Sequence, residues 1–169
     1  LLSAHLHQQN QSTVLFTSPH LVRIEERIRL DGRPITPQQF DEYLEDIQKA
    51  ESSLEEQLTF FEITFLVACL CASRNNIDVF IVETGLGGRY DATRILPADV
   101  SVITSLSLEH RDVLGDTLAK IAAEKAAISR PSKPLIVRSV EDTDAKEAIE
   151  YEAKHAGRIE LGQTQGEAS

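Results

Sequence analysis

Asp78-Val-Phe-Ile-Val-Glu-Thr-Gly-Leu-Gly-Gly-Arg-Tyr-Asp-Ala-Thr93 is the stretch whose reading decides the fold. Its apolar run, Val79 to Val82, ends in a carboxylate, Glu83. Gly85, Gly87 and Gly88 follow, and then a second carboxylate, Asp91. A continuous apolar run closed by glycine reads as a strand buried on both faces. Open α/β sheets collect ligands at the carboxyl ends of such strands, which is where Glu83 falls. Glycines there let backbone or ligand come close. On these residues alone the loop is either a tight turn or a ligand loop.

Downstream, Val100 to Leu106 is β-rich and ends in Ser107-Leu108-Glu109-His110, and Pro134 to Val137 is a short apolar run. Between them Leu118, Ile121, Ala122 and Lys125 mark a helix from about Thr117 to Ser129. A last amphipathic helix is expected over Asp142 to Ala156, stopped by Gly157. Residues 158–162 read as one further strand and Gln163 to Ser169 as a frayed end. This alternation of strand and helix predicts an α/β fold, a mostly parallel sheet flanked by helices.

Upstream, Leu1, Leu2 and Leu6 suggest a helix that ends around Gln8 to Gln11. Thr13 to Phe16 is a β-type run that leads into Thr17-Ser18-Pro19-His20-Leu21, a second candidate site loop in which Pro19 breaks regular structure. Arg27 to Ile35 reads as a hairpin around Asp31-Gly32 or an excursion off the main sheet. The arginines at 23, 27, 29 and 33 are expected on a solvated edge. Thr36 and Gln39 form a capping box, with Pro37 in the first turn. The helix they open carries Phe40, Tyr43, Leu44, Ile47 and Leu54 on one face and is expected to end near Glu55. Thr59 and Glu62 form a second capping box. It opens a largely apolar helix to about Asn75.

At 169 residues the chain is long enough for one domain with a real core. A formal net charge of −10 argues against a nucleic-acid backbone as partner. Cys69 and Cys71 are expected as reduced core residues. No apolar stretch approaches the roughly 18 residues of a membrane span, and no signal peptide is seen. The cytoplasm is the expected compartment. The first residue is Leu and its helix has no cap, so the chain is expected to be a fragment.

Three strand ends deliver possible ligands: Ser18, Glu83 and His110. A hydroxyl, a carboxylate and an imidazole on one sheet edge suit a partly hydrated Mg²⁺ carrying substrate phosphates, although Mg²⁺ rarely takes His. Each residue also has a plain reading: a turn hydroxyl, a salt bridge or cap, a strand-end histidine. Lys125 lies on the apolar stripe of its helix, where a lysine is either snorkelling or modified, since burial favours the neutral, reactive amine. Glu124 beside it is expected to point into solvent.

TSPHL at 17–21, ERIRLDGRPI at 26–35, LTFFE at 58–62, ETGLGGRYDAT at 83–93 and LEHRDVLGDTLAKIAAEKAAI at 108–128 occur in one order and spacing. Together they resemble the folylpolyglutamate synthase/dihydrofolate synthase family of the Mur ligase superfamily, over nearly everything from residue 1 to about 140. The resemblance implies a P-loop NTPase-like central domain spanning 1–169 and an ATP- and Mg²⁺-dependent amide ligase. ATP would phosphorylate a carboxylate of dihydropteroate or a (poly)glutamyl folate, and the amine of L-glutamate would attack the acyl phosphate. Position by position it implies Ser18, Glu83 and His110 as Mg²⁺ ligands, Lys125 as a carbamate beside them, and Thr59, Phe61, Asp91 and Ala92 as pterin contacts. It hints at a monomer.

Four positions depart from the family pattern: Glu109 for Asp, Arg111 for Thr, Ala127 for Gly and Arg94 for Asn. The family's phosphate loop, of Gly-Thr-x-Gly-Lys-Gly type, is expected directly before residue 1. A C-terminal domain of roughly 130 residues or more is expected after the chain. Without these parts the chain as given is expected not to catalyse ligation. Two other readings stay open: a peptidoglycan-type Mur ligase, and a non-catalytic pterin-binding module.

Overall fold

The computed structural model describes residues 1–161 of the chain, so the expected frayed end and the last residue of the expected final strand lie outside the described residues. The chain divides into two compact units, and the boundary falls inside the glycine loop, between Gly85 and Leu86. The one expected sheet is therefore two sheets, one in each unit. No helix among the described residues is long and apolar enough to cross a membrane.

The first unit holds α1 (Leu2–Gln8), β1 (Thr13–Phe16), β2 (Ile28–Leu30), β3 (Arg33–Pro34), α2 (Pro37–Glu51), α3 (Phe60–Arg74) and β4 (Val79–Val82). Its sheet runs β3-β2-β1-β4, antiparallel except for the parallel pair β1 and β4. The expected hairpin is present. Asp31 and Gly32 both take positive φ, +48° and +79°, as a turn that matches strand twist requires. Asp31 also accepts the Thr13 N–H on its carboxylate at 2.8 Å, tying the turn to β1.

Both capping boxes form. Thr36 Oγ1 accepts from Gln39 N–H while the Gln39 side chain accepts from Thr36 N–H. Thr59 and Glu62 repeat the exchange. α2 stops at Glu51, four residues before the expected end, and Leu54 is exposed. α3 packs on β1 and β2, and α2 packs on α3. Phe40, Tyr43 and Ile47 of α2, Phe65, Val67, Ala68 and Cys71 of α3, and Val14, Phe16 and Ile28 of the sheet are all buried. Both cysteines are free, and burial pushes each thiol up to about 11, where it is inert at neutral pH.

β4 is not buried on both faces as its composition suggests. All four of its residues are only half buried, because β4 is an edge strand whose one partner among the described residues is β1.

The second unit holds β5 (Ser101–Ile103), α4 (Arg111–Leu114), α5 (Leu118–Ala126), β6 (Pro134–Val137), α6 (Thr143–Glu152) and β7 (Arg158–Leu161). Its three strands are parallel, in the order β5-β6-β7. Ile103, Leu135 and Val137 pack against Ala122 and Ala126 of α5 and Ala145 and Ile149 of α6. Thr117 and Asp142 cap α5 and α6 with their side chains. β5 is shorter than expected, and the single-turn α4 was not foreseen. α6 ends at Glu152, well before Gly157. That glycine serves close approach instead: a Cβ there would stand 2.7 Å from the Ser132 carbonyl.

Candidate functional site

In the first unit, the placement of the candidate residues follows from the pairing of β1 with β4. Asp78 clamps the strand starts, accepting Ser12 N–H at 2.8 Å and Ser12 Oγ–H at 2.9 Å on one oxygen. Those two bonds hold its carboxyl below the usual carboxylate range. The clamp sets the register Thr13↔Val79 through Phe16↔Val82, so the strands end level. Glu83 N–H then donates to the Phe16 carbonyl at 2.9 Å, and Ser18 N–H donates to Glu83 Oε2 at 2.9 Å. The two strand ends predicted to carry ligands are thus joined directly. Ser18 Oγ and Glu83 Oε1 take no hydrogen bond from the described residues. The Ser18–Pro19 peptide is cis.

Thr59 and Phe61 lie at the start of α3. The Thr59 hydroxyl accepts from Glu62 N–H at 3.3 Å and donates to Glu62 Oε2 at 2.7 Å. It can serve a ligand only as an acceptor. The bond from the hydroxyl, and then that from Thr59 N–H, hold the Glu62 carboxyl below its ordinary range. The Phe61 ring packs edge-on to Phe16 at 5.7 Å between centroids. A Cβ at Gly85 would meet Phe61 Cε2 at 2.6 Å, so the first glycine of the loop exists to admit this ring.

The second unit begins at Leu86. Asp91 caps the 3₁₀ turn Ala92–Ile95. Its Oδ1 accepts Thr93 N–H at 2.9 Å and the Thr93 hydroxyl, and its Oδ2 accepts Leu86 N–H at 3.0 Å. Gly88 lies flat on α5: a Cβ there would stand 2.8 Å from the Glu124 carbonyl and 2.9 Å from that of Lys125. Arg89 fixes the loop from its other side, donating to Glu124 at 2.8 Å and Glu152 at 2.9 Å. The two carboxylates raise its pKa. Glu124 is therefore an ion-pair partner, not the solvated side chain expected, because Arg89 comes to it from 35 residues away.

Lys125 is half buried, one turn beyond Ile121 and Ala122 on the inner side of α5. His110 precedes α4 in the left-handed region, φ +51°, ψ +41°. Its carbonyl accepts from Val113 and Leu114, and its ring is exposed. A non-glycine residue held in that conformation at a loop end is a candidate for function. Ala92 is half buried beside Asp91.

Two of the four unusual residues meet. Arg94 Nε donates to the Ala127 carbonyl at 2.8 Å, capping the C-terminal end of α5 with positive charge. Arg130 completes the knot on the carbonyls of Arg94, Leu96 and Ile128. Burial, and then the nearby Arg94, lower the Arg130 pKa. Arg94 is thus committed to the fold. Arg111 stays exposed, with one long contact of 3.5 Å to the Asp116 carbonyl.

Among the described residues no three His, Cys, Asp or Glu side chains gather into a metal cage. The donors on hand, Glu83 and the Ser18 hydroxyl, are hard oxygens. They suit a cation that keeps much of its water or takes the rest of its shell from phosphates. The close approach expected at the loop glycines is present, to the Phe61 ring at Gly85 and to two carbonyls of α5 at Gly88. Arg89 and Arg27 were not foreseen as residues that shape the site, because their partners lie far along the chain or across the fold.

No family model matches the chain. Curated relatives do. The dihydrofolate synthase/folylpolyglutamate synthase of Escherichia coli (strain K12) is 42% identical over 123 residues, covering 73% of this chain and 29% of the relative. An E. coli FolC structure in complex with DHPP and ADP superposes with a TM-score of 0.83 at 35% identity, over 93% of this chain and 38% of the other. A bifunctional folylpolyglutamate synthase/dihydrofolate synthase with Mn, AMPPNP and L-glutamate bound gives 0.84 at 32% identity, over 95% and 38%. The chain thus spans about a third of the length of the proteins it matches. On motifs, fold and these likenesses together, the chain belongs to the folylpolyglutamate synthase/dihydrofolate synthase family.

Proposed function

We propose that the chain is the central ATPase-type domain of an ATP- and Mg²⁺-dependent ligase that joins L-glutamate to dihydropteroate or to (poly)glutamyl folates. The observation that carries this reading is the junction of Ser18 and Glu83 at the level ends of β1 and β4. It leaves a hydroxyl and one carboxylate oxygen uncommitted among the described residues, on a chain whose relatives are named dihydrofolate synthase/folylpolyglutamate synthase. Ser18, Glu83 and His110 are assigned as the Mg²⁺ ligands and Lys125, as a carbamate, as the anionic group beside them. Bound there, Mg²⁺ would spread the charge on the phosphoryl group as it moves from ATP to the substrate carboxylate.

The residues of the chain have their own tasks. The Ser18 amide holds Glu83 with one oxygen outward. Phe61 offers its ring to the pterin, and Thr59 an acceptor lone pair. Asp91 offers its carboxylate to the amino and ring N–H donors of the pterin. Ala92 gives a small neighbour beside it. The reading places the protein in the cytoplasm as a monomer acting on small molecules.

The test is Glu83→Gln in the protein encoded by the whole reading frame, assayed for ATP-dependent glutamylation of dihydropteroate. Turnover is expected to be lost with the fold retained. A variant as active as the parent would remove Glu83 from the metal site.

A further inference from the structure

Arg27 is expected from sequence on a solvated edge, yet it is 8% exposed. No carboxylate pairs with it among the described residues. A buried guanidinium without a counter-ion is costly, and such a group persists where it fixes a geometry. Its contacts show which one. The Arg27 carbonyl accepts Thr17 N–H at 2.8 Å. Its Nε–H donates to His20 Nδ1 at 2.9 Å. Thr17 and His20 are the two ends of the loop that carries Ser18, so one residue brackets that loop through its main chain and its side chain. The guanidinium also rests on the face of Phe60, 5.0 Å from the ring centre. Phe60 stands between Thr59 and Phe61 at the start of α3.

We propose that Arg27 is a positioning residue: it ties the Ser18 loop to the start of α3, and so sets the metal-side and pterin-side elements of this unit against each other. The cation–π contact holds the helix start, and the two hydrogen bonds hold the loop. Arginine has only donors, so His20 Nδ1 must be the bare nitrogen and its ring proton sits on Nε2. The functional meaning rests on the reading above; the geometry does not depend on it.

The experiment uses the 169-residue chain and needs neither metal nor turnover. Long-range ¹H–¹⁵N spectra report the His20 tautomer, and amide exchange reports the Ser18 N–H. His20 is expected with Nδ1 bare in the wild type and with that preference lost in Arg27→Lys. His20→Asn puts an acceptor oxygen near the place of Nδ1, whereas His20→Leu strands the guanidinium. Ser18 exchange is expected to stay within about twofold in His20→Asn and to rise about tenfold in His20→Leu and Arg27→Lys, the loss of a hydrogen bond to a charged group. If Arg27→Lys does not fold, the two His20 variants decide alone. A proton on Nδ1 in the wild type, or equal Ser18 exchange in the two His20 variants, would overturn the proposal. Either result leaves the metal reading standing, since that is tested at Glu83.

Discussion

Glu83 and Asp91 close the two ends of one glycine loop, and their oxygens are spent differently. Asp91 accepts hydrogen bonds from its own loop on both oxygens, among them those of Thr93 and Leu86. Glu83 takes one, from Ser18. Asp91 works as the cap of its 3₁₀ turn. Glu83 is held just firmly enough to aim its second oxygen outward. A carboxylate at the end of a level strand pair is free to serve a cation, whereas a carboxylate that starts a 3₁₀ turn is already employed in folding.

The contrast is sharpest in a paired substitution. In the enzyme of the whole reading frame, Glu83→Gln is expected to lower turnover by about a thousandfold or more, the scale of several kcal/mol of charge stabilisation. It should leave the unfolding midpoint nearly unchanged, since Gln can still accept from Ser18. Asp91→Ala is expected to cost about 1–2 kcal/mol of stability in denaturant titration, the scale of a lost cap. An Asp91→Ala chain as stable as its parent would make Asp91 a ligand residue alone.

The glycines give the next effect. Gly88→Ala places a methyl against two backbone carbonyls of α5, which cannot turn aside, and is expected to cost about 1–3 kcal/mol. Gly85→Ala meets only the edge of the Phe61 ring, so its cost should be smaller and should appear as a change in Phe61 ring shifts by NMR. Equal costs at the two sites would show that the loop lifts off α5.

The smallest effect is in pH. Glu62 is held below its ordinary 4.5 by Thr59, whose hydroxyl is the larger cause. A depressed folded pKa contributes stability that is present above the unfolded value and lost as pH falls through the folded one. Stability should therefore decline below about pH 4.5, and Glu62→Gln should flatten part of that decline in unfolding curves taken at successive pH values.

Short-range chemistry was legible in the sequence. The capping boxes at Thr36 and Thr59, the hairpin at Asp31-Gly32 and the strands at 13–16, 79–82 and 134–137 each depend on neighbours within a few residues. Partners far along the chain were not. Nothing near Arg27 announces that Phe60 will cover it, nor near Glu124 that Arg89 will reach it. The apolar composition of Val79–Val82 does not reveal an edge strand. His110 was chosen by chemistry and its place at a strand end, but its left-handed backbone comes from a one-turn helix with no sequence period to detect.

The most direct test of the division between the two carboxylates is a Mn²⁺ titration, followed by electron paramagnetic resonance, of the wild-type, Glu83→Gln and Asp91→Asn chains. Glu83→Gln is expected to weaken Mn²⁺ binding by about tenfold or more, while Asp91→Asn is expected to bind as the wild type does. Unchanged binding in Glu83→Gln, or an equal loss in Asp91→Asn, would contradict that division.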